Sequence, residues 1–243
     1  MPEGPSIIIL REEVMQFEGH KIFSASGSAK IDMDRIAGKK LLSFKTWGKN
    51  FLICFSGFTI KIHLLMFGVY LINKRKKLEP KLSLVFDNGE LNFYTCSVKL
   101  LEGDLNQYYD WTADIMNENW DSKAAKKKLE EIPQKMICDA LLEQDIFSGV
   151  GNIIKNEVLY RVKVHPESLI GKIPKPKITE IIKENIIYSF QFLDWKRKNE
   201  LAKHWLAYSQ KTCVRCNLPF VKKDTGLKKR ASFFCNHCQK LYE

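Results

Sequence analysis

No apolar run in this 243-residue chain approaches the roughly 20 residues that a membrane-spanning helix needs, so no membrane partner is expected. The sequence begins Met1-Pro2-Glu3, without a basic region and apolar core. A secretory leader is therefore not expected, and an intracellular, cytoplasmic location is. Internal repeats and low-complexity tracts are also missing, so neither a repeat array nor a disordered tail accounts for the chain. Acids are scarce beside bases: 28 Asp and Glu against 39 Lys and Arg leave a net charge of +11. That balance favours a polyanionic partner, nucleic acid foremost. The excess is concentrated, because residues 195–243 hold 12 Lys and Arg against 3 acids. Hydrophobic residues make up 45%, enough for a substantial core and two or three modules.

The seven cysteines divide into two groups. Cys54, Cys96 and Cys138 are isolated in apolar surroundings and read as reduced core residues. The other four form Cys213-Val-Arg-Cys216 and Cys235-Asn-His-Cys238, separated by 18 residues. Each CxxC puts two thiolates on one knuckle, and two knuckles complete a tetrahedral four-sulfur shell. One structural zinc is the expected cofactor. A closed shell leaves no open position for catalysis, and His237 would make a fifth ligand, so it is assigned to the surface. Between the knuckles, residues 220–223 and 230–234 can pair as a hairpin around Asp224-Thr225-Gly226. The hairpin carries Lys222, Lys223, Lys228, Lys229 and Arg230. It suits nucleic-acid contact, the alternative being a solvated loop.

Upstream, residues 5–18 read as a helix stopped by Gly19. Short β-rich runs follow over 41–47, 51–55, 58–64, 69–73, 82–86, 91–95 and 98–102. Trp47-Gly48-Lys49-Asn50, Ser56-Gly57 and Asp87-Asn88-Gly89 punctuate them. This is the pattern of an antiparallel sandwich. The period then becomes helical over 122–131, 135–145, 153–163 and 177–205, broken by Pro133, Gly149, Gly151, Pro174 and Pro176. Gly149-Val-Gly151-Asn152 is a tight turn opening a helix, where backbone N–H groups and the helix dipole attract phosphate. Asn152 is placed to cap that helix and touch the phosphate.

At the other end, removal of Met1 exposes Pro2 as a secondary amine. Terminal amines have pKa values near 8, so a useful fraction is neutral at pH 7. A neutral amine can attack an electrophilic sugar carbon and leave an iminium. The start of a helix further disfavours its protonation. Glu3 is placed to handle protons beside it. Taken alone, the pentapeptide reads as two prolines at a helix start.

Four ordered motifs change that reading: Pro2-Glu-Gly-Pro5, Trp47-Gly-Lys49-Asn50, Leu141-Leu-Glu-Gln144 with Gly149-Val-Gly-Asn-Ile153, and Arg230 with Phe234-Cys235 and Cys238-Gln239. Together they resemble the formamidopyrimidine-DNA glycosylase / endonuclease VIII family over essentially the whole chain. The resemblance implies an α+β multidomain fold. An N-terminal helix and antiparallel β-sandwich (1–110) are followed by a linker (111–122), a helix-two-turn-helix domain (123–209) and a zinc ribbon (210–243). It implies Pro2 as the Schiff-base nucleophile at C1′, Glu3 as the acid assisting ring opening, and Lys49 holding phosphate and shuttling protons. It also implies Arg230 gripping phosphate for δ-elimination and Asn152 binding phosphate. The damaged base must leave the stack, and Leu65, Met66 and Phe67 are the candidate wedges for the hole, the alternative being buried strand residues.

Three positions depart from the family's pattern. Ser6 stands where a second acid is usual. Asp110-Trp-Thr-Ala-Asp114 lacks the linker arginine. Cys96-Ser-Val-Lys99 replaces an Arg-Phe-Gly loop, which with Gly4 favours the endonuclease VIII branch and oxidised pyrimidines. The expectation is a monomeric bifunctional glycosylase/AP lyase acting on damaged double-stranded DNA in the basic cleft between its modules. The alternatives are an 8-oxoguanine/formamidopyrimidine glycosylase, a catalytically impaired lesion-binding zinc protein, and a zinc-ribbon interaction factor.

Overall fold

The computed structural model describes residues 2–243. Met1, and with it the expected exposure of the Pro2 amine, lies outside the described residues. The chain divides into two compact units between Tyr109 and Asp110.

In the first unit, helix α1 (Gly4–Val14) carries Pro5 in its first turn, where the missing N–H costs nothing. A 3₁₀ turn (Met15–Phe17) tightens its end. Eight strands follow: β1 (Ile22–Ser26), β2 (Ser43–Trp47), β3 (Asn50–Cys54), β4 (Phe58–His63), β5 (Val69–Ile72), β6 (Leu82–Phe86), β7 (Gly89–Tyr94) and β8 (Ser97–Glu102). They form two antiparallel sheets, ordered β1-β6-β7-β5 and β2-β3-β4-β8. Alternation decides which residues face inward. Phe44, Phe51, Ile53, Phe58, Ile60 and Ile62 join Leu82, Leu84, Leu91 and Phe93 in one core with Ile7, Leu10, Val14 and Phe17 of the N-terminal segment. Each fully buried side chain of this size contributes about 1.5–3 kcal/mol. The expected strands and sandwich are present. β1 was not singled out, because Ser and Gly flank and dilute its short run.

The second unit contains α2 (Ser122–Glu130), α3 (Ile137–Ala140), α4 (Asn152–Arg161), α5 (Lys175–Arg197), β9 (Val221–Thr225) and β10 (Arg230–Phe234). Asp121 caps α2, its carboxylate accepting from Lys123 and Ala124 N–H at 2.8 and 3.2 Å. The helix expected over 135–145 is instead the single turn α3 followed by irregular chain. There the Gln144 side chain takes over backbone groups, donating to Leu142 O and Val150 O and accepting from Gly149 N–H. The helix expected over 177–205 starts earlier, with proline in its first turn, and ends at Arg197. Asn199 then turns left-handed (φ 57°), and a 3₁₀ turn (Leu201–His204) follows. The hairpin turn lies at 226–229, beginning two residues later than the expected Asp224-Thr225-Gly226. No described helix is long and apolar enough to cross a membrane.

Candidate active site and metal centre

In the first unit, Glu3 precedes α1 in extended backbone (φ −120°, ψ 174°) and its side chain is fully buried. Ser6 Oγ accepts the Glu3 N–H at 3.4 Å, while Ser6 N–H donates to Glu3 O at 2.8 Å. The position that lacks the family's second acid therefore still ties down the residue beside Pro2. Pro2 itself is half-buried.

Helix α1 packs on β2 and β3, the two strands joined by the turn that carries Lys49. Gly48 (φ 52°) occupies the first central position of this two-residue turn, where a left-handed residue matches the twist of the strands. Asn50 closes the turn, donating from Nδ2 to Trp47 O at 3.3 Å. Directly across from Asn50 on β4 is His63. Burial first, then Lys49 and Lys61, push the His63 imidazole below its ordinary pKa. His63 was not predicted; its neighbours become cations only once the sheet register is known.

His63 Nδ1 accepts the Leu65 N–H at 3.0 Å and opens the β4–β5 turn. Gly68 N–H closes it onto Leu64 O at 2.7 Å. A Cβ on Gly68 would lie 2.1 Å from Leu64 O, so only glycine permits this closure. Leu65, Met66 and Phe67 are consequently displayed with 49%, 47% and 76% of their surface exposed. They are not buried strand residues, the alternative left open by the sequence.

In the second unit, Gly151 caps α4, and Asn152, expected as the cap, is instead the first helical residue. Its Nδ2 donates to Ala231 O at 2.9 Å, next to Arg230 on β10. One stripe of α4 holds the ribbon. Lys155 Nζ donates to Ser232 Oγ at 2.9 Å, Asn156 Oδ1 accepts the Phe233 N–H at 2.7 Å, and Tyr160 OH meets Cys213 Sγ at 3.2 Å. From α3, buried Asp139 accepts the Leu227 and Lys228 N–H groups at 2.7 and 3.2 Å, bracing the turn before Arg230. Asp139 carries no sequence signal. Not every hairpin base is uncommitted: Lys223 pairs with Glu167 at 2.8 Å and Lys228 with Glu143 at 3.2 Å.

The sulfurs of Cys213, Cys216, Cys235 and Cys238 all lie within 4.8 Å of one another. A tetrahedral ion with metal–sulfur bonds of about 2.3 Å places its sulfurs about 3.8 Å apart. Cys213–Cys238 at 3.7 Å and Cys216–Cys235 at 3.5 Å match that shell. His237 is exposed, as expected. Cys54, Cys96 and Cys138 are buried free thiols.

Residues 112–188 match the formamidopyrimidine-DNA glycosylase H2TH domain. Endonuclease 8-like 3 of Mus musculus is 28% identical over 205 residues, 81% of this chain and 34% of that protein. Formamidopyrimidine-DNA glycosylase of Solibacter usitatus is 26% identical over 269 residues, 99% of this chain and all of that protein. The chain is a homologue of the formamidopyrimidine-DNA glycosylases and the endonuclease 8-like proteins. It spans about a third of the length of the endonuclease 8-like 3 proteins it matches. The crystal structure of Lactococcus lactis formamidopyrimidine-DNA glycosylase bound to DNA containing an AP site shares the homologue's fold, with TM-score 0.87 over 98% of this chain and 99% of that one at 23% identity.

Proposed function

We propose that this glycosylase homologue is a bifunctional DNA glycosylase/AP lyase that removes oxidised bases, pyrimidines foremost, from damaged double-stranded DNA. The observation that carries the reading is the buried Glu3, held by Ser6 directly after Pro2 at the start of α1. With Met1 removed, the Pro2 lone pair attacks C1′, the base departs with the glycosidic electrons, and the proton shed by the Pro2 nitrogen passes to the departing base. Glu3 donates a proton to the ring oxygen as the sugar opens to an iminium. Loss of the 2′ proton breaks the C3′–O bond, with Lys49 as the nearby proton carrier. A second elimination then breaks the C5′–O bond, with Arg230 holding the departing phosphate. Asn152 fixes the start of α4 against the strand that carries Arg230. Leu65, Met66 and Phe67 fill the space left by the flipped base. The four cysteines hold one zinc, which stabilises the ribbon and takes no part in the eliminations.

The pyrimidine preference rests on the β7–β8 connection. β7 ends at Tyr94 and β8 begins at Ser97, with Thr95 left-handed (φ 51°) and Cys96 buried. The connection is therefore only two residues long, without the Arg-Phe-Gly loop usual in the 8-oxoguanine branch. The test is base release from duplexes containing thymine glycol, dihydrouracil or 8-oxoguanine. Release of the two pyrimidines with cleavage on both sides of the sugar is expected. Release of 8-oxoguanine alone overturns the branch, and release of none overturns the activity.

A further inference from the structure

The face of the β2-β3-β4-β8 sheet turned away from the sandwich core, where Trp47, Asn50, Leu52, Cys54 and Thr59 are buried, carries an electrostatic conflict that the chemistry at Pro2 does not use. The registers β2–β3, β3–β4 and β4–β8 place Ser43, Lys45, Trp47, Asn50, Leu52, Cys54, Thr59, Lys61, His63, Ser97, Lys99 and Leu101 on this face. No acid occurs among these positions. Lys61 and Lys99 stand directly opposite each other. Like charges so placed destabilise a sheet. Lys61 is half-buried, its Nζ 5.6 Å from the centre of the Tyr109 ring, while Lys99 is exposed. Burial, then Lys99, pull the Lys61 ammonium below its ordinary pKa, and no carboxylate acts against them. His63 on the same strand also has Lys61 and Lys49 as positive neighbours.

We infer that Lys61 and Lys99 form a second phosphate clamp, which grips a backbone phosphodiester of the bound DNA away from the sugar attacked by Pro2. A shared phosphate oxygen accepts from both ammonium groups, which turns a repulsive pair into a bridged one. The inference rests on the reading of the chain as a DNA-binding glycosylase. It adds a contact that the lesion itself does not require.

The experiment measures the affinity of the full chain for a duplex containing a tetrahydrofuran abasic analogue, at 50 to 200 mM salt. Each neutralised phosphate contributes about 0.9 to the slope of log affinity against log salt, so losing one removes about 3.5-fold of the affinity change across this range. Lys61→Gln leaves Lys99 on the phosphate and should lower the slope by only part of that amount, whereas Lys99→Glu, which sets a carboxylate beside it, and the double variant should lower it by the full amount. Lys99→Glu should also raise the melting temperature of the DNA-free protein, since it replaces a like-charge pair by an opposite one. Weaker DNA binding in a more stable protein excludes misfolding as the cause. Lys30→Gln, an exposed lysine outside this sheet, should leave the slope unchanged. An unaltered slope in Lys61→Gln and Lys99→Glu, or an equal fall in Lys30→Gln, overturns the clamp while leaving the glycosylase reading standing. Salt-independent binding by the unmodified chain overturns that reading, and the clamp with it.

Discussion

Replacing Asp139 by Ala tests how the ribbon hairpin is held. The carboxylate is 3% exposed and accepts the Leu227 and Lys228 N–H groups at 2.7 and 3.2 Å. Hydrogen bonds to a charged group are worth about 1.5–3 kcal/mol each. The two are not equal here. Leu227 is 87% exposed, so water can satisfy its N–H in the variant. Relief of the buried charge offsets part of the remainder, leaving a net loss of about 2 kcal/mol. At about 2–4 °C per kcal/mol for a chain of this size, the melting temperature should fall by roughly 4–8 °C. The second consequence is specific to function. Gly226 and Lys229 are both left-handed, at φ 68° and 44°, and the turn they build delivers Arg230. Once the turn is unbraced, Arg230 should lose its grip more than Pro2 loses its reactivity. Gel separation of cleavage products from abasic-site DNA should show β-elimination persisting and the δ-product falling. Gly226→Ala should behave alike, because its Cβ would lie 2.4 Å from both Asp139 carboxylate oxygens. A melting temperature within about 1 °C of the parent, with the ratio of δ- to β-product unchanged, would refute the bracing role.

Three further outcomes follow from the same geometry. Phe67→Ala should leave stability within about 0.5 kcal/mol, as for other exposed sites, yet weaken binding to lesion duplex by about 1–3 kcal/mol, read by calorimetry and fluorescence anisotropy. The His63 imidazole has its pKa depressed in the folded state, so the unfolded chain binds the proton more readily. Its contribution to stability is therefore complete above pH 6.5 and lost as pH falls through the depressed value. Melting curves should show this step, and His63→Asn, whose Oδ1 can accept the Leu65 N–H without titrating, should remove it. Stripping the metal with a strong chelator should unfold the 213–238 ribbon and weaken DNA binding at least roughly tenfold through loss of its phosphate contacts, both reversed by added zinc.

Much of the fold was legible because it depends on local patterns. Alternation marks the sandwich strands, Gly48-Lys49 marks the β2–β3 turn, and the two CxxC pairs mark the four-cysteine cluster. The interruption of the helix expected over 135–145 was not legible. There the Gln144 side chain substitutes for backbone partners, and that competition is invisible to periodicity. The bracing of Arg230 by Asp139 links residues about 90 positions apart through a turn that only tertiary packing creates. Ser6 reads in sequence as the loss of an acid, whereas its hydroxyl accepts the Glu3 N–H. Lys61 gains Lys99 as a neighbour only from strand register. The motifs around Pro2, Glu3, Lys49 and Arg230 could be recognised, but the residues that position them could not.

The Pro2 nitrogen is proposed to form a covalent iminium with an opened sugar. The direct measurement is borohydride trapping on abasic-site duplex, with intact mass establishing that Met1 has been removed. A stable protein–DNA adduct is expected that disappears in Pro2→Gly carrying a retained methionine, and whose cross-linked peptide begins at Pro2. A Met1-free protein that cleaves the same duplex yet yields no adduct, or an adduct mapped to a lysine, would contradict it.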